Sequence, residues 1–574
     1  MSWKLSFERW NDFSELEPGL KKQLGQLNRD ELEEAFYTNL TFGTGGMRGI
    51  LGPGTNRMNI YTVRKAAKGL ALYIEGLGAE AVKRGCVVAY DSRYMSKQFA
   101  IETAKVLGTH GIPTYVFTSL RPTPELSFAV RYLKTSAGVM ITASHNPPEY
   151  NGYKVYNETG GQLPPKEADE MIEKVLSVED ELTIAVMDED KLEREHLLRW
   201  IDEEVDQAYL NELKKVTMNQ DVIKRQADEL KIVFTPLHGT ALKLAVEGMK
   251  QLGFNEVYTV SEQSEPDPEF STVTSPNPEE HQAFELAIKK GNAIGADILI
   301  ATDPDADRLG VAAKNEAGNY EVLTGNQFGA LMLDYILSQR NEIPENGMMI
   351  KTIVTSELGK AVADYYGIQS LDVLTGFKFI SEKIENFHQS KEYEFLFGYE
   401  ESYGYLIRDF SRDKDAIQAA MMACEMAAFY KEENKTLFDA LDDLYKRHGY
   451  YIEDLHSMTL KGLDGAKQIT ALMDQFRESP LNEAGELKVR FIEDYLTSER
   501  TNLETNEKEH IDLPTSNVVK FILSDDCWCC LRPSGTEPKI KFYFGVNGKT
   551  KEIAEKRLDM LKEAVLNRIT VAEG

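Results

Sequence analysis

The sequence predicts an α/β protein: three consecutive mixed-sheet α/β domains followed by a smaller C-terminal α+β domain. Three observations predict it. The chain has 574 residues, room for roughly four domains at ~150 residues each. Short β-branched runs alternate with helical patterns over most of it, as βαβ units require. From about Tyr450 that alternation gives way to an antiparallel-looking pair, 518–523 and 528–531, and a closing helix over 550–568.

Taken in order, 86–90 and 137–141 are short apolar runs that read as buried parallel strands, with a helix over 101–108 between them. The charged stretch 165–220, acidic around 180–195, reads as a solvated connection that ends the first domain, 1–220. Runs at 232–234, 257–260 and 298–300, separated by helices, make the second domain, 221–324. Strands at 348–350, 371–373 and 393–397, helices over 356–366 and 377–387, and closing helices over 414–434 and 437–448 make the third, 325–449. The remainder, 450–574, is the α+β domain.

Composition narrows the function. Hydrophobic residues make up 42% and charged residues 28%, so the chain should fold throughout. Lys and Arg total 65 against 93 Asp and Glu, a formal charge of -28, which argues against nucleic acid or an anionic membrane as partner because both require a net basic face. A small anionic ligand is compatible with that charge, since distant surface charge is screened over ~8 Å while side chains in one cleft act at contact range. Five cysteines, three of them crowded at Cys527, Cys529 and Cys530, form no disulfide or zinc framework and read as reduced, buried small hydrophobes. Without a signal-like or membrane-spanning apolar run, the chain reads as cytoplasmic.

In open α/β sheets ligands bind beyond the carboxyl ends of strands, so the loop after each apolar run is where chemistry belongs. The loop at 142–154 holds Ser144 and His145 at a strand tip, stiffened by Pro147 and Pro148, and ends at Lys154. A hydroxyl there can act as a nucleophile, although the loop lacks a Gly-x-Ser-x-Gly elbow and, taken alone, also fits a Pro-rich turn. After the strand at 298–300, Asp303, Asp305 and Asp307 alternate, and three carboxylates converge only where their repulsion is offset, usually by a divalent ion. A calcium EF-hand would need Gly at Arg308 and Glu at Lys314, so Mg²⁺ held together with a phosphate suits the loop better. An aspartyl-nucleophile phosphatase is the alternative chemistry there.

Glu400 and Ser402, flanked by Tyr399 and Tyr403, offer acceptors for sugar hydroxyls and aromatic faces for a sugar ring; a Gly-bounded turn fits equally well. Arg532, Ser534, Gly535 and Thr536 combine a guanidinium fork, hydroxyls and a close-approach glycine, which describes a phosphate nest and not a Walker loop. A Gly-rich loop at 42–49 carries Arg48.

The ordered set Gly-Thr-Gly-Gly-Met-Arg-Gly, Thr-Ala-Ser-His-Asn-Pro, Asp-Pro-Asp-Ala-Asp-Arg, Gly-Tyr-Glu-Glu-Ser and Arg-Pro-Ser-Gly-Thr-Glu-Pro closely resembles the α-D-phosphohexomutase family, most of all its bacterial α-phosphoglucomutase branch. The resemblance implies four domains around a central cleft, Ser144 carrying a transferable phosphoryl group, and Asp303, Asp305 and Asp307 holding Mg²⁺ with the Ser144 phosphate. It also implies Glu400 and Ser402 on sugar hydroxyls, and Arg532, Ser534, Gly535 and Thr536 on the non-reacting phosphate. Arg48, His145, Lys154 and Arg308 match family positions near the reacting group, with Lys154 the candidate for proton transfer. The implied substrate is a small phosphosugar, with glucose 1,6-bisphosphate as intermediate and activator; no oligomeric state is implied. Gly376, Phe377 and Lys378, together with Tyr399 and Tyr403, depart from the more familiar hexomutases and resemble a subgroup that includes phosphopentomutases and sugar-bisphosphate synthases. A phosphosugar sensor without turnover is the non-enzymatic alternative.

Overall fold

The computed structural model describes residues 3–43, 46–460, 462–534 and 539–572; Gly535 and Thr536 of the expected phosphate nest lie outside them. The chain divides into two compact units. The first comprises Met1–Gly325, Phe377–Gly398 and Ser402–Leu437, the second Asn326–Gly376, Tyr399–Glu401 and Phe438–Gly574.

The first unit contains two mixed sheets. One has the strands β1 (Phe42–Gly43), β2 (Gly46–Ile50), β3 (Cys86–Tyr90), β4 (Thr114–Phe117), β5 (Ala137–Ile141), β6 (Tyr150–Asn157) and β7 (Leu198–Ile201), in the spatial order β1-β2-β6-β5-β3-β4-β7. β3 and β5 are buried at every residue and pair in parallel, as continuous apolar runs require. The helix expected between them over 101–108 spans Ser96–Thr109, and it is followed before β5 by β4 and a second helix, Thr123–Tyr132, neither of which the apolar runs suggested. The helix Ile60–Leu77 packs in the same core and starts at Asn59, whose side chain accepts from the Tyr61 and Thr62 backbone N–H groups in a capping box. Trp10 from the first helix buries edge-on against Phe36 and Tyr61.

Two expectations need correction here. The charged stretch at 165–220 is no solvated connection: it includes β7, which pairs in parallel with β4 and completes the sheet. Its pattern of one buried residue, then exposed Arg199 and Trp200, is that of an edge strand, where charge is favoured and a buried-strand signature is missing. Lys154 is not in a loop. It lies within β6, opposite Met140 of β5 in an antiparallel pair, because the chain turns back at once after Pro147 and Pro148.

The second sheet is built from β8 (Ile232–Thr235), β9 (Val257–Thr259), β10 (Ile298–Thr302), β11 (Leu309–Lys314) and β12 (Tyr320–Val322), in the order β12-β11-β10-β8-β9. β10 runs parallel to β8 and antiparallel to β11. Ser144 and the three aspartates therefore occupy equivalent places, each in a wide hairpin after a central buried strand.

In the second unit, β13 (Gly347–Thr352) and β14 (Gln369–Val373) pair in parallel around the helix Leu358–Tyr365. Past Tyr450 comes an antiparallel sheet in the order Tyr450–Thr459, Lys539–Gly548, Trp528–Pro533, Val519–Leu523, Leu487–Asp494, Glu499–Asn502 and Lys508–His510. The helix Lys551–Ala572 packs on it. All five cysteines are buried free thiols. Among the described residues, no helix is long and apolar enough to cross a membrane.

Candidate active site

Ser144 is 4% exposed and adopts a left-handed backbone, φ +52°, a conformation that costs a non-glycine residue about 1 kcal/mol or more and persists only where the surroundings hold it. Arg93 does the holding. Its guanidinium donates to the carbonyls of Ser144 at 2.6 Å, Pro147 at 2.7 Å and Tyr150 at 3.0 Å, and to that of Asn146. Asp91 lies 3.3 Å away on the other side. The Ser144 N–H donates to Thr142 Oγ1 at 2.8 Å. The loop is thus a rigid platform presenting one hydroxyl.

That hydroxyl donates to Asp303 Oδ2 at 2.6 Å, and His145 Nδ1 lies 3.1 Å from Ser144 Oγ. One proton serves one acceptor, so His145 presents an Nδ1–H to Ser144. Burial, with Arg308 and Arg48 nearby, holds the imidazole well below its ordinary pKa and keeps it neutral. Arg48, in β2, is exposed and donates to Asn146 Oδ1 at 2.8 Å.

Asp303, Asp305 and Asp307 are buried, with ligand oxygens within 4.8 Å of one another. Positive φ at Ala306 and bonds from the Asp307 and Arg308 N–H groups to Asp303 Oδ1, at 3.1 and 3.0 Å, curl the hairpin inward. Burial, then repulsion from Asp305 and Asp307, pushes the Asp303 carboxyl well above its usual range. For Asp307 burial acts the same way but is outweighed by Lys414, Lys154 and Arg308, so it stays ionised. Lys154 Nζ lies 2.8 Å from Asp305 and 3.4 Å from Asp307. Burial alone would depress this ammonium, yet the two aspartates hold it above its ordinary value. Asp305 Oδ1 and Asp307 Oδ1 are buried with no hydrogen-bond partner among the described residues. Orphaned anionic oxygens on a set of hard donors fit a divalent cation.

Several participants escaped the sequence reading. Lys414 Nζ reaches Asp307 Oδ2 at 3.0 Å and sits 5.7 Å from the centre of the Phe377 ring. Thr123 donates its hydroxyl to Asp305 Oδ2 at 3.0 Å and its N–H to the Asp305 carbonyl at 2.8 Å. Glu279 pairs with Arg308. The polar stretch around Lys414, Ser411-Arg412-Asp413-Lys414-Asp415, offered a local signal, since four charged residues just before an apolar helix are unusual.

The remaining expected residues fall as follows. Ser402 belongs to the first unit; the next residue, Tyr403, accepts at its carbonyl from the Leu309 N–H at 3.0 Å, just beyond the aspartate hairpin. Lys378 is drawn below its ordinary pKa by burial, against the opposing pull of Glu382 and Asp169, and lies 5.0 Å from the Phe379 ring centre. In the second unit, Gly376 takes φ +117° at the start of the helix Phe377–Ser390. Glu400 is buried at the end of the strand Glu394–Glu400, and Glu401 accepts from Thr352 and Thr355 at 3.2 and 3.3 Å. Arg532 pairs with Lys541 across the C-terminal sheet, and the Ser534 N–H donates to the Lys539 carbonyl at 2.7 Å. Both Arg532 and Glu401 act on the Tyr543 hydroxyl.

Comparison with known proteins identifies this arrangement. Models of the α/β/α domains I, II and III of phosphoglucomutase/phosphomannomutase match residues 39–182, 207–318 and 324–448. The chain belongs to the phosphoglucomutase/phosphomannomutase family. A phosphoglucomutase of Staphylococcus epidermidis is 42% identical over 519 residues, spanning 90% of this chain and 92% of the relative. One from Staphylococcus aureus is 41% identical over 546 residues, 95% of each. Two solved structures share the fold: the exocytosis-sensitive phosphoprotein parafusin (phosphoglucomutase) of Paramecium, with a TM-score of 0.69 at 18% identity over 94% of this chain and 96% of that one, and a family protein of Burkholderia thailandensis, 0.67 at 18% over 93% and 98%. The three mixed α/β sheets and the C-terminal antiparallel sheet are those of this family of mutases, as the motifs implied.

Proposed function

We propose that the protein is a phosphoglucomutase that interconverts glucose 1-phosphate and glucose 6-phosphate, with a phosphoryl group on Ser144 and glucose 1,6-bisphosphate as intermediate. One observation carries the reading: a buried serine hydroxyl, held in a strained loop 2.6 Å from Asp303. Relatives at 41–42% identity over nearly the whole chain that are phosphoglucomutases support it. A phosphosugar sensor would need no nucleophile at that point.

Asp303, Asp305 and Asp307, with the Ser144 phosphate, would hold Mg²⁺; their orphaned oxygens support this assignment. When bound, the cation neutralises charge on the transferring phosphoryl group. Ser144 Oγ gives and takes that group. Lys154, held as an ammonium by Asp305 and Asp307, gives a proton to the oxygen that leaves phosphorus and takes that of the attacking hydroxyl in its place, ending each transfer as the ammonium again. His145 stays neutral and orients Ser144 through Nδ1–H, while Arg48 and Arg308 stabilise the phosphoryl oxygens. Glu400 and Ser402, with Gly376, Phe377 and Lys378, position the sugar; Arg532, Ser534, Gly535 and Thr536 bind the phosphate that does not react. Four domains with boundaries near residues 220, 324 and 449 carry these parts, in a cytoplasmic enzyme that takes only a small phosphosugar partner.

The test is a phosphopeptide map of the protein after exposure to glucose 1,6-bisphosphate. A single phosphoryl group on Ser144, lost together with activity in Ser144→Ala, is expected. A label on Asp303 or Asp305, or full activity in Ser144→Ala, would overturn the phosphoserine mechanism in favour of an aspartyl one.

A further inference from the structure

On elements other than the loops described above, Lys68 and Glu75 of one helix and His110 at the end of another form a continuous chain. Lys68 Nζ lies 2.6 Å from His110 Nε2, and His110 Nδ1 lies 2.6 Å from Glu75 Oε1. We propose that Lys68 is a site of covalent N-acylation by acyl phosphates, with His110 as its general base and Glu75 as the group that orients the base.

The geometry fixes the protons. An ammonium has only donors, so His110 Nε2 must offer its lone pair to Lys68. A ring that offers Nε2 as acceptor carries its proton on Nδ1, and Glu75 accepts it. Nucleophile, base and orienting carboxylate in hydrogen-bond sequence is the arrangement that activates a nucleophile in acyl transfer. Local structure builds it without strain. Lys68 and Glu75 are seven residues apart on the helix Ile60–Leu77, two turns and therefore one face. His110 is the C-cap of the helix Ser96–Thr109 and bonds its own N–H to the Leu107 carbonyl. The His110 side chain is 10% exposed and that of Glu75 41%, so the imidazole is shielded from competing water while the carboxylate faces solvent. Lys68 is half-buried, reachable by a small reagent. None of the three belongs to the proposed phosphoryl-transfer machinery.

The step balances as follows. Lys68 Nζ passes one proton to His110 Nε2, and the freed lone pair attacks the carbonyl carbon of the acyl phosphate. The carbon–oxygen bond to phosphorus's oxygen breaks, and its electron pair leaves with inorganic phosphate. The nitrogen's second proton goes to the departing phosphate, and the imidazolium returns its own to water. The product is a neutral amide in place of an ammonium, which removes the charged hydrogen bond joining the two helices.

The experiment incubates the intact protein with acetyl phosphate and follows acetylation of every lysine by peptide mass spectrometry over time. Lys68 should be labelled about 10-fold or more faster than the median lysine. His110→Gln should bring Lys68 down to that median, and Glu75→Gln, an exposed and structurally mild change, should slow it several-fold. Mutase turnover should be unchanged in both variants, which also reports that they are folded. Labelling of Lys68 at the median rate, or an undiminished rate in His110→Gln, would overturn the proposal. So would a rate in Glu75→Gln equal to that of the unmodified sequence, since the carboxylate would then orient nothing.

Discussion

Thr123 and Lys154 share one oxygen of Asp305. Both approach Oδ2, at 3.0 and 2.8 Å, and leave Oδ1 buried with no hydrogen-bond partner among the described residues. The side chain is therefore held in one rotamer with its other oxygen turned to where the proposed cation would bind. Groups that orient a metal ligand commonly account for 10- to 100-fold of metal affinity. Thr123→Val, isosteric but unable to donate, should thus weaken Mg²⁺ binding by about 10-fold or more, measured by titration calorimetry, while Thr123→Ser should stay near the original affinity. Equal affinities in all three would show that Thr123 serves packing alone. Ser144 and the aspartates could be read in the sequence because each group of residues is consecutive and follows a visible strand. Thr123, Lys414 and Arg93 could not. Their partners lie far away along the chain, 182 residues in the case of Thr123 and Asp305, and nothing local distinguishes a buried threonine on duty from one that merely fills space. Arg93 had a faint signal, a charged residue just after a fully apolar strand, which is how a loop clamp differs from a surface arginine.

At the level of elements, the two hairpins depend on close backbone approach. A Cβ at Gly239 would stand 2.4 Å from Pro304 Cα and from the Pro304 carbonyl oxygen, and the neighbouring Thr240 N–H donates to that carbonyl at 2.8 Å. The loop after β8 thus props the aspartate hairpin after β10. Gly239→Ala must push the hairpin aside at a cost of about 1–3 kcal/mol. A lower Tm together with weakened Mg²⁺ binding is expected; a lost Tm with intact metal affinity would mean the strain relaxes elsewhere. The long strand Tyr450–Thr459 supports a second prediction. Burial of Glu453, opposed by bonds to Ser356 and Asn326 but reinforced by Glu357, raises its carboxyl to about 7. A folded-state pKa above the unfolded one contributes stability that is complete below about pH 4.5 and is lost as pH rises through about 7. Glu453→Gln should therefore match the original protein at pH 5 and exceed it at pH 8.5 by about 2 kcal/mol, allowing for solvent screening of a half-buried side chain. Denaturant midpoints that differ equally at both pH values would contradict it. Elements with strong periodicity, such as Leu437–His448, were legible to the residue. The edge strand β7 was not, because exposed Arg199 and Trp200 give an edge strand the composition of a linker.

On the scale of the whole molecule, a chain of formal charge -28 takes an anionic ester through a few inward cations, so recognition rests on local geometry and only weakly on long-range attraction. The fold class was legible because alternation runs through hundreds of residues, and the boundary expected at 324 coincides with the first edge between the two compact units; the return of Phe377–Gly398 and Ser402–Leu437 to the first unit was not legible, since it depends on which elements pack. Likeness at 41–42% identity across nearly the entire length of the relatives argues for a shared sugar, whereas the Gly376 to Phe379 segment argues for a pentose. Energetics decide between them. Glu400 is buried, and an acceptor left without its donor costs about 1–3 kcal/mol, or about 5- to 150-fold. If the adjacent glucose hydroxyls from which Glu400 and Ser402 accept include that on carbon 2, mannose 1-phosphate, the epimer at that carbon, misplaces one of them, and ribose 1-phosphate, a carbon shorter, cannot keep the same set in register. Glucose 1-phosphate should therefore have the highest kcat/KM of the three, each measured on one preparation primed with the matching bisphosphate. Glu400→Gln should narrow the gap between glucose and mannose 1-phosphates, because a neutral amide can donate as well as accept. A higher kcat/KM for ribose 1-phosphate would overturn the hexose assignment and leave the phosphoserine chemistry standing.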